Sequence, residues 1–380
     1  MSFIYLDYNA TTPLHPEVLE VMQHALAEAY GNPSSPHQEG ARARRIVGHA
    51  RKQVAELLGC DTTEIVFTSG GSESNNFAIK GIARKLRDQG NHIVTSAIEH
   101  PAVEKVCRYL EEEGFVTTFL PVDRQGLVNP GDLERSITGE TVLVTVMHAN
   151  NETGAIQPIE ALTRIARDKG VLFHTDAAQS LGKIPVRVKT LGVDLLSVAG
   201  HKLYAPKGVG ALYIREGIEL CPLIHGAGHE SGRRAGTENV AAIAGLGKAC
   251  ELAHHEEERR RKHALHLRDR LHRAIRKEIP EASLNGPEEA RLPNTLSLSF
   301  PGLMAPDIID ALDGIAGSAG SACHARGVAA SKVLLAMGSP MAQALGTVRL
   351  SVGHFTTDAE VDLAARQVID AVHYLKKQLP

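Results

Sequence analysis

Lys202 stands in the stretch Asp-Leu-Leu-Ser-Val-Ala-Gly-His-Lys-Leu-Tyr-Ala-Pro-Lys-Gly-Val-Gly, residues 194–210. An apolar run ends there at Gly200, turns through Pro206 and Gly208, and gives way to a second apolar run at 209–214. A lysine delivered by a strand end can present an amine able to carry a Schiff base; a surface lysine in a hairpin would show the same pattern. A carboxylate holds the comparable place earlier, where the run 171–176 closes on Asp176 and continues Ala-Ala-Gln-Ser. Between a short apolar strand at 64–68 and a helical run through Ile79, Ile82 and Leu86 lies Ser69-Gly-Gly-Ser-Glu-Ser-Asn-Asn. Strand, two glycines and helix start aim free backbone N–H groups at an anion, and Ser72 adds a hydroxyl, although glycines before helices also serve only to turn the chain. The spacing is neither G-x-x-x-x-G-K-[ST] nor G-x-G-x-x-G and gives no support to a nucleotide fold. His100 precedes Pro101 at another strand-to-helix junction, where ligands of open α/β sheets collect and where a histidine cap is equally at home.

The last third of the chain offers a different chemistry. Gly314-Ile-Ala-Gly-Ser-Ala-Gly-Ser-Ala-Cys-His-Ala-Arg-Gly surrounds Cys323 with glycine, alanine and serine, followed by His324 and Arg326. A cysteine kept for packing prefers apolar neighbours, whereas small flanks followed by positive charge suit a mobile nucleophile. Taken together, a strand-end lysine, a strand-end aspartate, an anion cradle and a histidine between them describe pyridoxal phosphate binding. The aspartate would keep the pyridine nitrogen protonated, the Gly-Gly-Ser loop would take the phosphate, and a flat side chain would cover the ring.

The elements that position these groups alternate. Helical patterns run from Pro16 to a stop at Gly31, over 40–58, and from Pro101 with Val103, Val106, Cys107 and Leu110 on one face, which reads Cys107 as core. Buried strands are predicted at 64–68, 92–96, 141–147, 171–176 and 194–198, and nearly every flagged polar group lies just beyond a strand's carboxyl end. The fold class is therefore α/β with a mostly parallel central sheet flanked by helices. A helical pattern covers 237–279, with a mixed-charge middle at 254–263 that reads as a solvated face rather than a zinc site; the composition shift there predicts a domain boundary. Strands at 293–300 and 347–352 and helices at 307–312 and 358–377 complete a smaller α+β part. At about 150 residues per domain, 380 residues predict two or three domains.

Acidic residues (44) nearly balance basic ones (41) for a net charge of -3, which favours neither nucleic acid nor a membrane surface and leaves a small molecule as the expected partner. No apolar stretch approaches the ~18 residues of a membrane span, the first residues lack a secretory pattern, and five scattered cysteines fit a reducing compartment. A cytoplasmic location is expected.

Over nearly its whole length the chain resembles the long-loop cysteine desulfurases of the class V aminotransferase family, fold-type I pyridoxal phosphate enzymes. The resemblance is carried by Tyr5-Leu-Asp-Tyr-Asn-Ala-Thr-Thr-Pro, Gly31-Asn-Pro-Ser-Ser, Thr68-Ser-Gly-Gly-Ser-Glu-Ser-Asn-Asn, Glu99-His100, Asn150-Asn-Glu-Thr-Gly, His174-Thr-Asp-Ala-Ala-Gln, Gly200-His-Lys, Gly236-Thr-Glu-Asn, Gly320-Ser-Ala-Cys and Val348-Arg-Leu-Ser. It implies a large cofactor-binding domain at 14–255 and a small domain from 1–13 and 256–380 that carries the cysteine loop. It further implies Lys202 as the Schiff-base lysine, Asp176 on the pyridine nitrogen, Gln179 facing the phenolic oxygen, His100 on the ring and in proton transfer, and Asn151 beside the cofactor. Gly71, Ser72 and His201 would hold the phosphate, with Thr237 reaching it from the second subunit of a homodimer. Arg349 would pair with the substrate carboxylate, and Cys323 would take sulfur from L-cysteine as a persulfide, release L-alanine and deliver the sulfur to an acceptor protein. Ala199, where these enzymes usually have serine, and His324 after the nucleophile look more like selenocysteine lyases, which would make L-selenocysteine the substrate; His354 replaces a usual arginine. An aminotransferase on the same fold is a more distant alternative.

Overall fold

The computed structural model describes residues 3–319, 323–324, 327–328 and 330–378. Its centre is a seven-stranded sheet in the order Ile65–Thr68, Gly210–Ile214, Leu195–Ala199, Leu172–Asp176, Thr141–Thr145, His92–Ser96 and Val116–Leu120. Only Gly210–Ile214 runs against its neighbours; the other pairings across the sheet are parallel. Strand residues alternate between two covering layers, as a strand's period of two requires. Val66, Ile93, Leu143 and Leu195 pack beneath Gly71–Lys85 and Pro101–Glu112 with Phe77, Ile82 and Cys107. Ile65, Val94, Val144 and Leu196 face the opposite layer, with Val54, Leu162 and Leu246. The strand Val116–Leu120, which the sequence reading did not single out, is the exposed edge, and its Val116 is 55% accessible.

A second hydrophobic cluster joins Ile4 and Leu6 to Leu296, Leu298, Leu350 and the helix Asp358–Lys377. Its sheet orders Ser318–Ala319, Thr347–Ser351, Thr295–Ser299 and Ser283–Leu284, all antiparallel. The strand Ile4–Tyr5 pairs with Ile315–Ala316, which places it with this second core. One 39-residue helix, Val240–Glu278, serves both: Ala242, Leu246 and Ala253 lie in the first core, and Ala264, Leu267, Leu271 and Ile275 in the second. The changeover crosses the charged run. His254 and His255 are exposed there, but Arg260 is buried, bonded to Glu256 at 2.8 Å and stacked 5.5 Å from the Tyr204 ring, so the run is not solvated throughout. Among the described residues no helix is long and apolar enough to cross a membrane.

One fully buried histidine ties adjacent strands of the sheet together. His174 holds Thr145 Oγ1 with Nδ1 at 2.8 Å and Ser197 Oγ with Nε2 at 2.9 Å, linking three adjacent strands. Burial pushes the pKa of His174, and of His148 at the next turn, down to about 4. An unfolded chain binds those protons near pH 6.5 and the folded chain only near 4, so this stability is complete above about pH 6.5 and is lost as pH falls toward 4. His174→Gln should reduce the slope of unfolding free energy against pH between 6.5 and 4.5 by up to about 1.4 kcal/mol per pH unit, read from urea melts. Identical slopes would show that His174 does not carry the effect.

Candidate active site

Because strands of one direction end on one edge of a sheet, residues far apart in sequence converge there. The carboxyl ends of Ile65–Thr68, His92–Ser96, Thr141–Thr145, Leu172–Asp176 and Leu195–Ala199 surround a cavity of about 330 Å³ whose wall includes Lys202, Asp176, His100, Gly71 and Ser72. Asn151, Gln179, His201 and Ala199 also line it.

Lys202 ends a short 3-10 turn, Gly200–Lys202, inserted between antiparallel neighbours. The Gly200 N–H donates to the Val209 carbonyl at 3.0 Å, and the Gly200 carbonyl accepts from Leu203 and Ala205. A side chain at Gly200 would meet the Val209 oxygen at 2.8 Å, which is why the turn requires glycine. Desolvation pulls the Lys202 ammonium below the ordinary amine range, opposed by the Asp176 carboxylate and aided by Arg349. Asp176 is 7% accessible. Its Oδ2 accepts from Asn75 Nδ2 at 2.7 Å and its Oδ1 from the Ala178 N–H at 2.9 Å. These bonds leave each oxygen free to accept a further donor from the cavity.

His100 caps the helix Pro101–Glu112, its Nδ1 accepting from the Ala102 N–H at 3.1 Å. The neutral ring therefore carries its hydrogen on Nε2 and can donate from it, and burial followed by the Lys202 charge keeps the ring below the usual imidazole pKa. The residue is a cap, and it also lines the cavity. Beside it, burial raises the Glu99 carboxyl to about 8; its Oε1 accepts from Ser96 Oγ at 2.6 Å and from the Met147 N–H at 2.9 Å.

The helix Gly71–Lys85 begins at the cavity with Gly70 at φ 148°. A Cβ on Gly71 would come within 3.2 Å of the Ala199 methyl, and one on Gly210 within 2.7 Å of Gly70 Cα, so small residues at all four positions let the cradle close. Glu73 also lines the cavity; Arg234 pairs with its carboxylate at 2.9 Å, offsetting its charge beside the helix start, and Glu73 Oε2 accepts from the Ser69 N–H at 2.8 Å. His201 reaches Thr11 Oγ1 at 3.2 Å, and burial with Lys202 and Lys207 nearby takes its pKa down to about 4. Asn151 is set by Asn150, whose buried amide oxygen accepts from the Glu152 and Thr153 N–H groups at 2.8 and 3.0 Å.

Three predicted residues are not on this wall. Arg349 lies behind it, its Nη2 on Asp7 Oδ1 at 2.7 Å and its Nη1 on the Asn151 carbonyl at 2.9 Å; its buried Nε has no partner among the described residues. Thr237 is exposed and lines a neighbouring cavity that shares only Ser69 with this one. Cys323 and His324 form a two-residue strand against Gly327–Val328, but their side chains, and residues 320–322, 325–326 and 329, lie outside the described residues. Burial pushes the thiols of Cys60 and Cys107 up to about 12 and raises that of Cys250 as well. Sequence reasoning missed Asn75, although it stands one turn into the glycine-led helix, and it missed Asn9 and Lys183, described below.

The donor set matches pyridoxal phosphate: backbone N–H groups at a helix start for the phosphate, a buried carboxylate with free lone pairs for the ring nitrogen, and a desolvated amine on the same wall. A mostly parallel sheet with one reversed strand after the lysine, plus a small antiparallel domain, makes this a fold-type I pyridoxal phosphate transferase. Residues 4–363 match the aminotransferase class-V family, and the chain belongs to that family. It is 48% identical over 361 residues to the cysteine desulfurase IscS of Dictyoglomus turgidum, covering 94% of this chain and 92% of that one. Among solved structures it is similar to a NifS-like protein at 39% identity and TM-score 0.92, covering 98% of this chain and 100% of that one. A structure described as SspA in complex with cysteine matches at 38% identity and TM-score 0.82, over 93% of this chain and 100% of that one.

Proposed function

We propose that the protein is a pyridoxal phosphate-dependent cysteine desulfurase that converts L-cysteine to L-alanine and passes the sulfur, as a Cys323 persulfide, to an acceptor protein. The observation that carries this reading is Lys202 and Asp176 on one cavity wall, in a chain 48% identical to a desulfurase. Bound pyridoxal phosphate supplies an electron sink for the substrate's alpha carbon. Lys202 supplies the amine for covalent attachment and then removes the alpha proton at Nζ, a task its lowered pKa favours. Asp176 holds positive charge on the ring nitrogen. Arg349 would take the substrate carboxylate in place of Asp7, which its Nη2 now holds at 2.7 Å. The Cys323 thiolate attacks the substrate sulfur; the S–S bond forms as the carbon–sulfur bond breaks, its electron pair stays with the carbon fragment, and a proton completes alanine. His100, on the cavity wall, would lie against the cofactor ring and offer its Nε2 hydrogen to the reacting group.

An unperturbed thiol is already a few per cent thiolate at neutral pH, so full activation would gain only about 2 kcal/mol, whereas bringing the sulfurs into line is worth several times more. Placement of the cysteine loop thus matters more than thiol acidity. Cys323→Ala should lower alanine formation from cysteine at least about 10²-fold, measured with loaded enzyme and a thiol acceptor; unchanged turnover would remove Cys323 from the mechanism. Ala199, which leaves a methyl on the phosphate side of the cavity, supports a second reading as a selenocysteine lyase, decided by running the same assay on selenocysteine. The exposed Thr237 beside the phosphate cradle supports a homodimer in which it crosses to the partner's site, and the proposed setting is cytoplasmic.

A further inference from the structure

Lys183 takes no part in the reactions described above. It follows Gln179 in the turn after Leu172–Asp176, behind the cavity wall, on a small second cavity that it shares with Lys202 and Asn294. Gly182, at φ 75°, gives the turn its shape, since a Cβ there would strike Leu203 Cδ1. Lys183 Nζ donates to Gln179 Oε1 and to Asn9 Oδ1, both at 2.9 Å. Gln179 Nε2 in turn donates to the Asn9 carbonyl at 2.9 Å.

A primary amide has one acceptor oxygen and two N–H donors. Here the oxygen is engaged by Lys183 and one N–H by Asn9, so the group left to face the cavity is the second N–H. Turning the amide over would set its oxygen 2.9 Å from the Asn9 carbonyl, two acceptors with no hydrogen between them. Asn9 cannot adjust to relieve this. Its Oδ1 also accepts from Asn294 Nδ2 at 3.0 Å, and its Nδ2 donates to Thr295 Oγ1 at 2.8 Å and to the Asn151 carbonyl at 3.1 Å.

We propose that Lys183 is a positioning residue: with Asn9 it locks the Gln179 amide so that an N–H, not a carbonyl, faces the ring oxygen of bound pyridoxal phosphate. The proposal rests on the cofactor reading of the cavity. Burial, with the Lys202 and Arg349 cations nearby, pulls the Lys183 amine well below its ordinary range, and protonated or not the amine has hydrogens enough for its two acceptors. The charged groups that face it are those two cations.

A donor aimed at the ring oxygen favours negative charge there and lowers the pH midpoint of the bound cofactor's visible absorbance. Lys183→Met keeps the length and loses the donor, and should raise that midpoint by about one pH unit in the loaded protein. In a Gln179→Ala background the same substitution should leave the midpoint unmoved. An unchanged midpoint in Lys183→Met overturns the proposal. So does an equal shift in the Gln179→Ala background, which would mean that the lysine acts through its own charge. If Lys183→Met fails to fold, as judged by thermal melting of the apoprotein, Gln179→Glu tests the same orientation. A carboxylate there offers Lys183 an acceptor but the ring oxygen no donor, so the midpoint should rise, and an unchanged midpoint overturns the proposal. A wild-type protein that shows no visible band with pyridoxal phosphate would overturn the cofactor reading and this proposal together, whereas a normal wild-type band with an unmoved variant overturns the proposal alone.

Discussion

Lys202→Ala should abolish alanine formation from cysteine, with a loss of at least about 10⁴-fold in kcat, because one side chain supplies both covalent attachment and proton transfer. The loss cannot be recovered with Lys202→Arg. Guanidinium keeps its proton throughout the accessible pH range, whereas the Lys202 amine is drawn below its ordinary pKa by burial, against the pull of Asp176. Activity through Lys202 should therefore persist to lower pH than an ordinary amine would allow. The check is steady-state alanine production with each variant after reconstitution. Residual turnover within tenfold of wild type in Lys202→Ala would place the reactive amine elsewhere.

Asp176→Asn is expected to cost about 10²- to 10⁴-fold in kcat, as losing one member of a buried charge pair costs a few kcal/mol. The substitution keeps the shape but removes the charge, and one orientation of the new amide sets a donor against Asn75 Nδ2, now 2.7 Å from Asp176 Oδ2. The remaining orientation turns that donor toward the Ala178 N–H, which Oδ1 accepts at 2.9 Å. Neither satisfies both neighbours, so affinity for the cofactor should fall together with kcat. Turnover within threefold of wild type would sever Asp176 from the ring nitrogen.

The groups that the sequence revealed most clearly are those fixed by local grammar. Lys202, Asp176 and Gly71 each follow a short apolar run, and a parallel sheet brings such ends together whatever their separation. The start of Pro101–Glu112 was equally legible, since proline acts on its own helix. The Asn9–Gln179–Lys183 cluster was hidden because Asn9 is 170 residues from Gln179 in sequence, and a buried polar contact across the seam of two cores leaves no periodicity. Arg260 misled for the converse reason: it sits in a run of like-looking charged residues, and only the position of Tyr204 decides that this one turns inward. The proton on His100 was beyond sequence altogether, since it follows from which ring nitrogen meets the Ala102 N–H.

The reversed strand Gly210–Ile214 has a consequence for how the lysine is held. A parallel successor to Leu195–Ala199 would need a long crossover before returning, leaving the residues after Ala199 attached to the sheet at one end. Here the segment from Gly200 to Val209 is stitched into adjacent, hydrogen-bonded strands at both ends. Its backbone freedom is surrendered once, during folding, so little conformational entropy remains to be lost when a ligand arrives.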